Sequence, residues 1–79
     1  MQCLYYQGYL VREKIWLVVG LLRNEDHVCF ERTIDKNTNL FEFFVPASQE
    51  KIFNHLMDYF IAKEYIFDLQ RKPNPLPKP

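Results

Sequence analysis

The sequence predicts a single small α+β domain in which an antiparallel sheet of four to five strands packs against one helix, in the order β-β-β-β-α-β. Three observations predict this class. The chain has 79 residues, which leaves room for one hydrophobic core. Hydrophobic residues make up 48% of it, which is too much for a disordered chain. Several short segments alternate like strands, whereas one segment repeats its apolar residues with the period of a helix.

Two strands are predicted in the first third of the chain. Residues 3 to 11 are rich in Tyr and bulky aliphatic residues, and the charged residues 12 to 14 that follow are typical of a tight turn. The apolar run 15 to 22 is interpreted as the second strand. Because this run is far shorter than the roughly 20 residues that span a bilayer, we expect no contact with a membrane.

Two further strands and the helix follow. Residues 28 to 34 place Val28, Phe30 and Ile34 on one face, and residues 40 to 45 alternate in a similar way after a polar loop. The helix is predicted to begin between residues 47 and 49. Its apolar stripe consists of Ile52, Phe53, Leu56, Met57, Phe60 and Ile61.

A last strand closes the predicted domain. Tyr65, Phe67 and Leu69 return to a period of two, and four prolines then stand at alternate positions of the final nine residues. The fold is therefore predicted to end near Gln70, which gives a domain over 1–70 and a Pro-rich basic tail over 71–79. If successive strands alternate in direction, their spatial order is 4-3-2-1-5.

Charge and cysteine content narrow the class of protein. Ten basic and ten acidic residues leave a net charge of zero, so no general attraction to nucleic acid or anionic membrane is expected. Two cysteines, Cys3 and Cys29, are too few for a disulfide scaffold and are interpreted as free thiols in a reducing compartment. No export signal is recognisable, and the predicted location is the cytoplasm.

The residues that catalysis requires are not found in a recognisable pattern. The only serine, Ser48, is interpreted as a helix cap, and the two glycines stand alone instead of forming a phosphate-binding loop. Glu31 and Glu42 have the same strand parity, but we interpret them as solvated strand residues near Arg23 or Lys36 and not as an acid and base pair. We therefore predict no enzyme, no catalytic residues and no cofactor.

A zinc site is the sharper chemical alternative. His27 and Cys29 are two residues apart, hence on one strand face, and Cys3 lies on another strand. A structural zinc site usually has four ligands at short spacings, and the second histidine, His55, falls on the outward side of the helix. We therefore expect a half-exposed histidine beside a packed thiol, with no metal.

The run 15 to 22 carries the functional prediction. As a strand it has apolar residues on both faces, whereas one helix can cover only one face of the sheet. The other face would then be covered by a second chain, and burying its large residues would contribute about 5 to 10 kcal/mol before association entropy. The sequence thus predicts a homodimer, with the partner-binding residues Trp16, Val18, Leu22 and Phe44.

Two alternatives remain open. The run could be a central strand whose outer side is shaded by the long polar residues Gln7, Arg12 and Glu31. Alternatively, aromatic residues on the strands could stack the bases of single-stranded RNA. The strands carry few basic residues for the phosphates, and no segment matches the common RNA-binding pattern, so RNA binding is kept as the second hypothesis. The aromatic residues concerned are Tyr5, Tyr9, Trp16, Phe30, Phe41, Phe43 and Phe44.

Overall fold

The chain folds as an α+β domain, which confirms the predicted class, but two helices and not one pack on the sheet. The computed structural model describes residues 3–24 and 28–73. A short 3-10 turn precedes each helix, over Arg12–Lys14 and Ala47–Gln49. In the described part of the chain the strands and helices are β1 (Cys3–Leu10), α1 (Ile15–Asn24), β2 (Phe30–Asp35), β3 (Leu40–Pro46), α2 (Glu50–Ala62) and β4 (Ile66–Lys72).

The predicted second strand is wrong, because residues 15 to 22 lie in α1. Val18 and Leu22, one helical turn apart, are buried in the core, with exposed fractions of 0% and 2%. Trp16 and Gly20, also one turn apart, lie on the exposed side of the same helix. An unbroken apolar run satisfies both a period of two and a period of 3.6, so the pattern alone could not separate strand from helix.

The strands are arranged in the order β2-β3-β1-β4, and all neighbours are antiparallel. The predicted order 4-3-2-1-5 is therefore wrong, since it joined consecutive strands and counted α1 among them. The connections form two βαβ units, β1-α1-β2 and β3-α2-β4. The two strands of each unit are parallel, and one strand of the other unit lies between them. This is the split βαβ, or ferredoxin-like, topology. The two central strands are β1 and β3.

Most of the other predicted elements are found where the sequence placed them. β1, β3 and α2 agree closely with the prediction, and β2 begins at Phe30, later than predicted. Ser48 lies in the 3-10 turn before α2, and no side-chain hydrogen bond caps that helix at Gln49. β4 continues to Lys72, slightly beyond the predicted end near Gln70, whereas most of the Pro-rich tail lies outside the described residues.

Both helices pack on the same face of the sheet, where they enclose one hydrophobic core. Phe43 of β3 and Phe53 of α2 lie at its centre, with ring centroids 5.8 Å apart. Burying a large side chain of this kind is worth about 1.5 to 3 kcal/mol, so this cluster stabilises the fold. Among the described residues, no further layer covers the opposite face of the sheet. The buried core residues are Tyr6, Leu10, Val18, Leu22, Val28, Phe41, Phe43, Val45, Phe53, Met57, Phe60 and Ile66.

A bulge interrupts the pairing of β1 with β4. Gln7 pairs with Gln70 and Tyr9 pairs with Phe67, so β4 has one residue more than β1 between these two pairs. Asp68 lies in the bulge with a φ of 58°. Opposite the bulge, a Cβ atom on Gly8 would lie 3.1 Å from the Cδ1 atoms of Ile66 and Leu69, so a larger residue there would press on these side chains.

An open sheet face as the candidate binding surface

The side of the sheet away from the helices is the candidate site, and we call it the open face. Its side chains alternate with those of the core along each strand, and the strand register aligns them across the sheet. Its centre is polar, whereas two of its margins are aromatic. The residues of the open face include Tyr5, Gln7, Tyr9, Phe30, Arg32, Asp35, Leu40, Glu42, Phe44, Phe67, Gln70 and Lys72.

A hydrogen-bonded network occupies the centre of the open face. The Tyr5 hydroxyl donates to Glu42 Oε1 at 2.6 Å, and Arg32 Nε donates to Glu42 Oε2 at 2.5 Å. Gln7 Nε2 donates to the Tyr5 hydroxyl at 2.9 Å. Glu42 is only 6% exposed, and its charge is compensated by the guanidinium of Arg32, as a buried carboxylate requires.

The network also determines the state of Tyr5. Burial, together with the hydrogen bond that its hydroxyl donates to Glu42, raises the pKa of Tyr5 above its ordinary value of 10.0. The ring of Tyr5 packs against Phe44 with centroids 5.0 Å apart. The guanidinium of Arg32 lies over Phe44 as well, 5.9 Å from the centroid of its ring. The central side chains are therefore held in place by contacts within the chain.

Aromatic side chains flank this polar centre. On one side Phe30, which pairs with Phe44 across β2 and β3, is 70% exposed. On the other side Phe67 is 55% exposed and stacks on Tyr9, with ring centroids 5.7 Å apart and planes only 14° from parallel. Large exposed apolar residues that share one face are a feature of interaction surfaces, whereas isolated ones are common on any protein.

A pocket of about 110 Å³ lies on the open face beside the β4 bulge. Its lining combines both signs of charge, from Asp68 and Lys72, with the amides of Gln7 and Gln70. Tyr9 and Leu40 complete the wall. The pocket is thus polar, although it adjoins the aromatic pair of Tyr9 and Phe67.

The predicted partner-binding residues fall in different parts of the molecule. Phe44 lies on the open face and is half-buried. Val18 and Leu22 belong to the core, so they present no surface to a partner, and this corrects their predicted placement. Trp16 is 71% exposed but lies on α1, on the helical side of the molecule. The structure therefore does not bring these four residues onto one surface.

The two carboxylates that share a strand parity are not brought together either. Glu31 pairs in register with the core residue Phe43 and accepts a hydrogen bond from Arg23 Nε at 2.8 Å. Glu42 lies on the opposite side of the sheet, on the open face. Each carboxylate has an arginine as its partner: Arg23, one of the two cations expected near the pair, contacts Glu31, and Arg32 contacts Glu42. An acid and base pair made of these two residues is ruled out by their placement.

The environment of Cys29 opposes ionisation of its thiol. Burial, with a smaller contribution from the charge of Glu31, raises the pKa of Cys29 to about 12, so this thiol stays protonated at neutral pH. His27, with which Cys29 was considered as a ligand pair, lies outside the described residues. Within residues 3–24 and 28–73, no three His, Cys, Asp or Glu side chains converge as a metal site would require.

Comparison with known proteins found no relatives: no protein-family model, curated protein or solved structure matches this chain. Neither helix within residues 3–24 and 28–73 is both long enough and apolar enough to cross a bilayer. The function is therefore inferred from the open face itself.

Sequence reasoning missed the network and the pocket. Arg32 offered a signal, because it is the one charged residue on the otherwise apolar face of its strand. Its partner Glu42 could not be identified, since the pairing depends on the register of β2 against β3. Asp68 offered no signal, because nothing in the local sequence marks a bulge at that position.

Proposed function

We propose that this protein is a non-enzymatic interaction module that binds protein, first of all a second copy of itself, through the open face. The observation that carries the proposal is the exposure of Phe30 and Phe67 on the side of the sheet away from both helices. Stacking two open faces through a two-fold axis would bury both residues twice. Two sheets pack in this manner in β-sandwiches, about 10 Å apart.

The energetic gain favours a weak and reversible dimer. Burying the exposed parts of Phe30 and Phe67 in two copies contributes roughly 4 to 8 kcal/mol before the entropy of association is subtracted. The smaller exposed parts of Tyr9, Leu40 and Phe44 add to this gain. Because association costs at least about 4 kcal/mol, Phe30 and Phe67 alone would give a dissociation constant of about 1 mM or weaker, and the other three residues lower it from there.

The polar centre of the open face is compatible with being covered. Glu42 and Tyr5 already have their hydrogen-bond partners within the chain, and no buried side-chain nitrogen or oxygen of the described residues lacks one. Covering Glu42 and Tyr5 with another protein surface would therefore leave neither of them without a partner, whereas the exposed guanidinium of Arg32 and the Gln7 carbonyl oxygen would need polar groups from that surface. These two groups can set the orientation of the second copy.

The charges of the open face favour protein over nucleic acid. Arg32 is neutralised by Glu42, and the ammonium of Lys72 has the carboxylate of Asp68 on the same pocket. A nucleic-acid surface needs an excess of positive charge for the phosphates, which these four residues do not supply. Two such neutral faces approach each other without net repulsion. The aromatic residues alone support RNA binding as the second hypothesis.

The self-association is tested by sedimentation of the full chain between about 10 μM and 1 mM, in the range where a weak dimer dissociates. We expect a monomer–dimer equilibrium that Phe30→Glu weakens at least tenfold. Trp16→Glu is the matched control, because it places the same charge at an equally exposed aromatic residue on the helical side. A protein that remains monomeric to 1 mM would overturn the proposal, as would a dimer weakened by Trp16→Glu and unaffected by Phe30→Glu.

The RNA hypothesis is tested with a labelled single-stranded oligonucleotide at low salt, by fluorescence anisotropy. Under the proposed function the titration is flat. Binding that weakens with salt and is lost in Phe30→Glu would instead support the RNA hypothesis, because only a nucleic-acid interface on this face responds to both changes.

A further inference from the structure

The pocket beside the β4 bulge combines a polar lining with an uncommon backbone conformation. The bulge opens the β1–β4 pairing at Asp68, whose φ of 58° is unfavourable for a residue that has a Cβ. Gly8, opposite the bulge, leaves room for the side chains of Ile66 and Leu69. The backbone conformation of Asp68 and the small size of Gly8 thus belong to the same local geometry. Bulges of this kind redirect side chains next to functional sites.

The lining of the pocket supplies complementary groups for a ligand with both signs of charge. Asp68 provides a carboxylate, Lys72 an ammonium group, and among the described residues neither of them is engaged in an ion pair. Gln70 provides an amide, and Gln7 uses one amide hydrogen on Tyr5, which leaves its carbonyl oxygen as an acceptor. Each charged part of a zwitterion therefore finds a charged and a neutral polar partner.

From this lining we propose that the pocket binds a small zwitterion of the free α-amino acid class. The ammonium group of the ligand contacts Asp68 and the Gln7 carbonyl, and its carboxylate contacts Lys72 and the Gln70 amide. The side chain of the ligand lies against Leu40 and Tyr9. A charge-assisted hydrogen bond at each end fixes the orientation of the ligand.

The size of the pocket favours a small ligand. Its volume of about 110 Å³ is well below the roughly 300 Å³ of pockets that take drug-sized ligands. An amino acid with a small side chain, such as alanine or serine, matches it best.

This inference does not rest on self-association, but the ligand and a second copy would compete for part of the open face, because Tyr9 and Leu40 line the pocket and would also be covered in the dimer. Phe30 and the pocket belong to different margins, since the pocket lies between β4 and the central strands. The Phe30→Glu variant therefore keeps the pocket and removes the proposed dimer contact. A protein that dimerises but does not bind the ligand would contradict only the ligand proposal. A protein that binds the ligand but does not dimerise would contradict only the self-association proposal.

The experiment is an NMR titration of the full chain and of Phe30→Glu with L-alanine at low salt. Propionate and ethylammonium serve as probes that keep only one of its two charges. We expect L-alanine to shift the amide signals of Gln7, Asp68 and Gln70 and to bind at least tenfold more tightly than either probe. No shift up to about 50 mM L-alanine, or equal binding of L-alanine and propionate, would overturn the proposal.

Two variants of Asp68 test the role of its carboxylate separately from the role of its backbone conformation. Asp68→Gly relieves the unfavourable φ, so the variant is expected to fold at least as well as the natural protein while losing tenfold or more in affinity. Asp68→Asn keeps the size and also tolerates this backbone conformation. Asp58→Asn, at an exposed position of α2, is the control. Unchanged affinity in Asp68→Gly and Asp68→Asn contradicts the assigned role.

Discussion

Three residues of the described backbone have a positive φ, and none of them is a glycine. They are Asn39 in the β2–β3 turn, Glu64 after α2 and Asp68 in the β4 bulge. Asparagine and aspartate adopt this conformation more readily than other residues with a side chain, because they hydrogen-bond to the nearby backbone. Glu64 has no such advantage, and its conformation must be maintained by the end of the helix.

The end of α2 shows what maintains Glu64. The Tyr65 N–H donates to the Phe60 carbonyl at 2.9 Å, and the Glu64 N–H donates to the Ile61 carbonyl at 3.0 Å. These two hydrogen bonds form a Schellman motif, in which the position of Glu64 is usually a glycine. Because a glutamate stands there, no helix-end signal is visible in the sequence.

We therefore predict that Glu64→Gly stabilises the protein by about 1 kcal/mol, because glycine adopts a φ of 61° without steric cost. Urea denaturation followed by circular dichroism measures this change. Lys63→Gly is the control, since Lys63 has a φ of −84° and gains nothing from glycine. A Glu64→Gly protein that is less stable than the natural one would show that the glutamate side chain itself stabilises the helix end.

At the scale of elements, the sequence predicts helix α2 correctly but predicts a strand where the structure has helix α1. α2 has a polar side that interrupts its apolar stripe, so its period is visible, whereas residues 15 to 22 contain no charged residue. β-branched residues and Trp16 also favoured a strand in that run. The competing requirement was topological, because β1 and β2 are parallel and need a crossover connection, which α1 provides.

The two glycines give a matched prediction that tests these element assignments. Gly20 lies at an exposed position of α1, where an added Cβ would have nothing within 4 Å, so Gly20→Ala should stabilise the protein by about 0.5 to 1 kcal/mol. Gly8→Val should destabilise it by about 1 to 3 kcal/mol, because its side chain would press on Ile66 and Leu69. Thermal unfolding of both variants reports the two shifts. A destabilised Gly20→Ala variant would contradict the helical assignment of residues 15 to 24.

At the scale of the whole molecule, the class of the fold was predictable and its topology was not. Strand periods in β1, β3 and β4 and the stripe of α2 are local features, which the sequence displays directly. The strand order depends on long-range pairing of β1 with β3 and β4, which no local pattern encodes. The same limit applies to the prediction of the candidate site. Phe44 could be placed on an accessible face from its strand pattern, whereas the Arg32–Glu42 pair depends on the register of β2 against β3.

The free energy of unfolding should decrease in alkaline solution, because three groups have a raised pKa in the folded chain. Burial raises the pKa of Cys29, Tyr5 and Tyr6 in the folded chain, so each group releases its proton more readily when the chain is unfolded. Their contribution to stability is complete below the ordinary pKa values of 9.0 for Cys29 and 10.0 for the tyrosines, and it is lost as the pH rises above them.

We expect the urea midpoint to be constant between about pH 7 and 8 and to decrease from about pH 9 upward. Cys29→Ala removes the earliest of the three titrations, so its midpoint should begin to decrease nearer pH 10. The control is Cys29→Ala at about pH 7, which reports the packing change alone. A midpoint that rises between about pH 9 and 11 would contradict the assigned direction of these pKa shifts.

The central position of β1 determines the order in which the molecule can assemble. β2 and β3 are joined by a short turn and form a local hairpin, whereas both partners of β1 lie far along the chain. During synthesis β1 leaves the ribosome before β3 and β4, so its backbone amides wait for both strands before they are paired. Until then this tyrosine-rich strand has two unpaired edges, which favour aggregation.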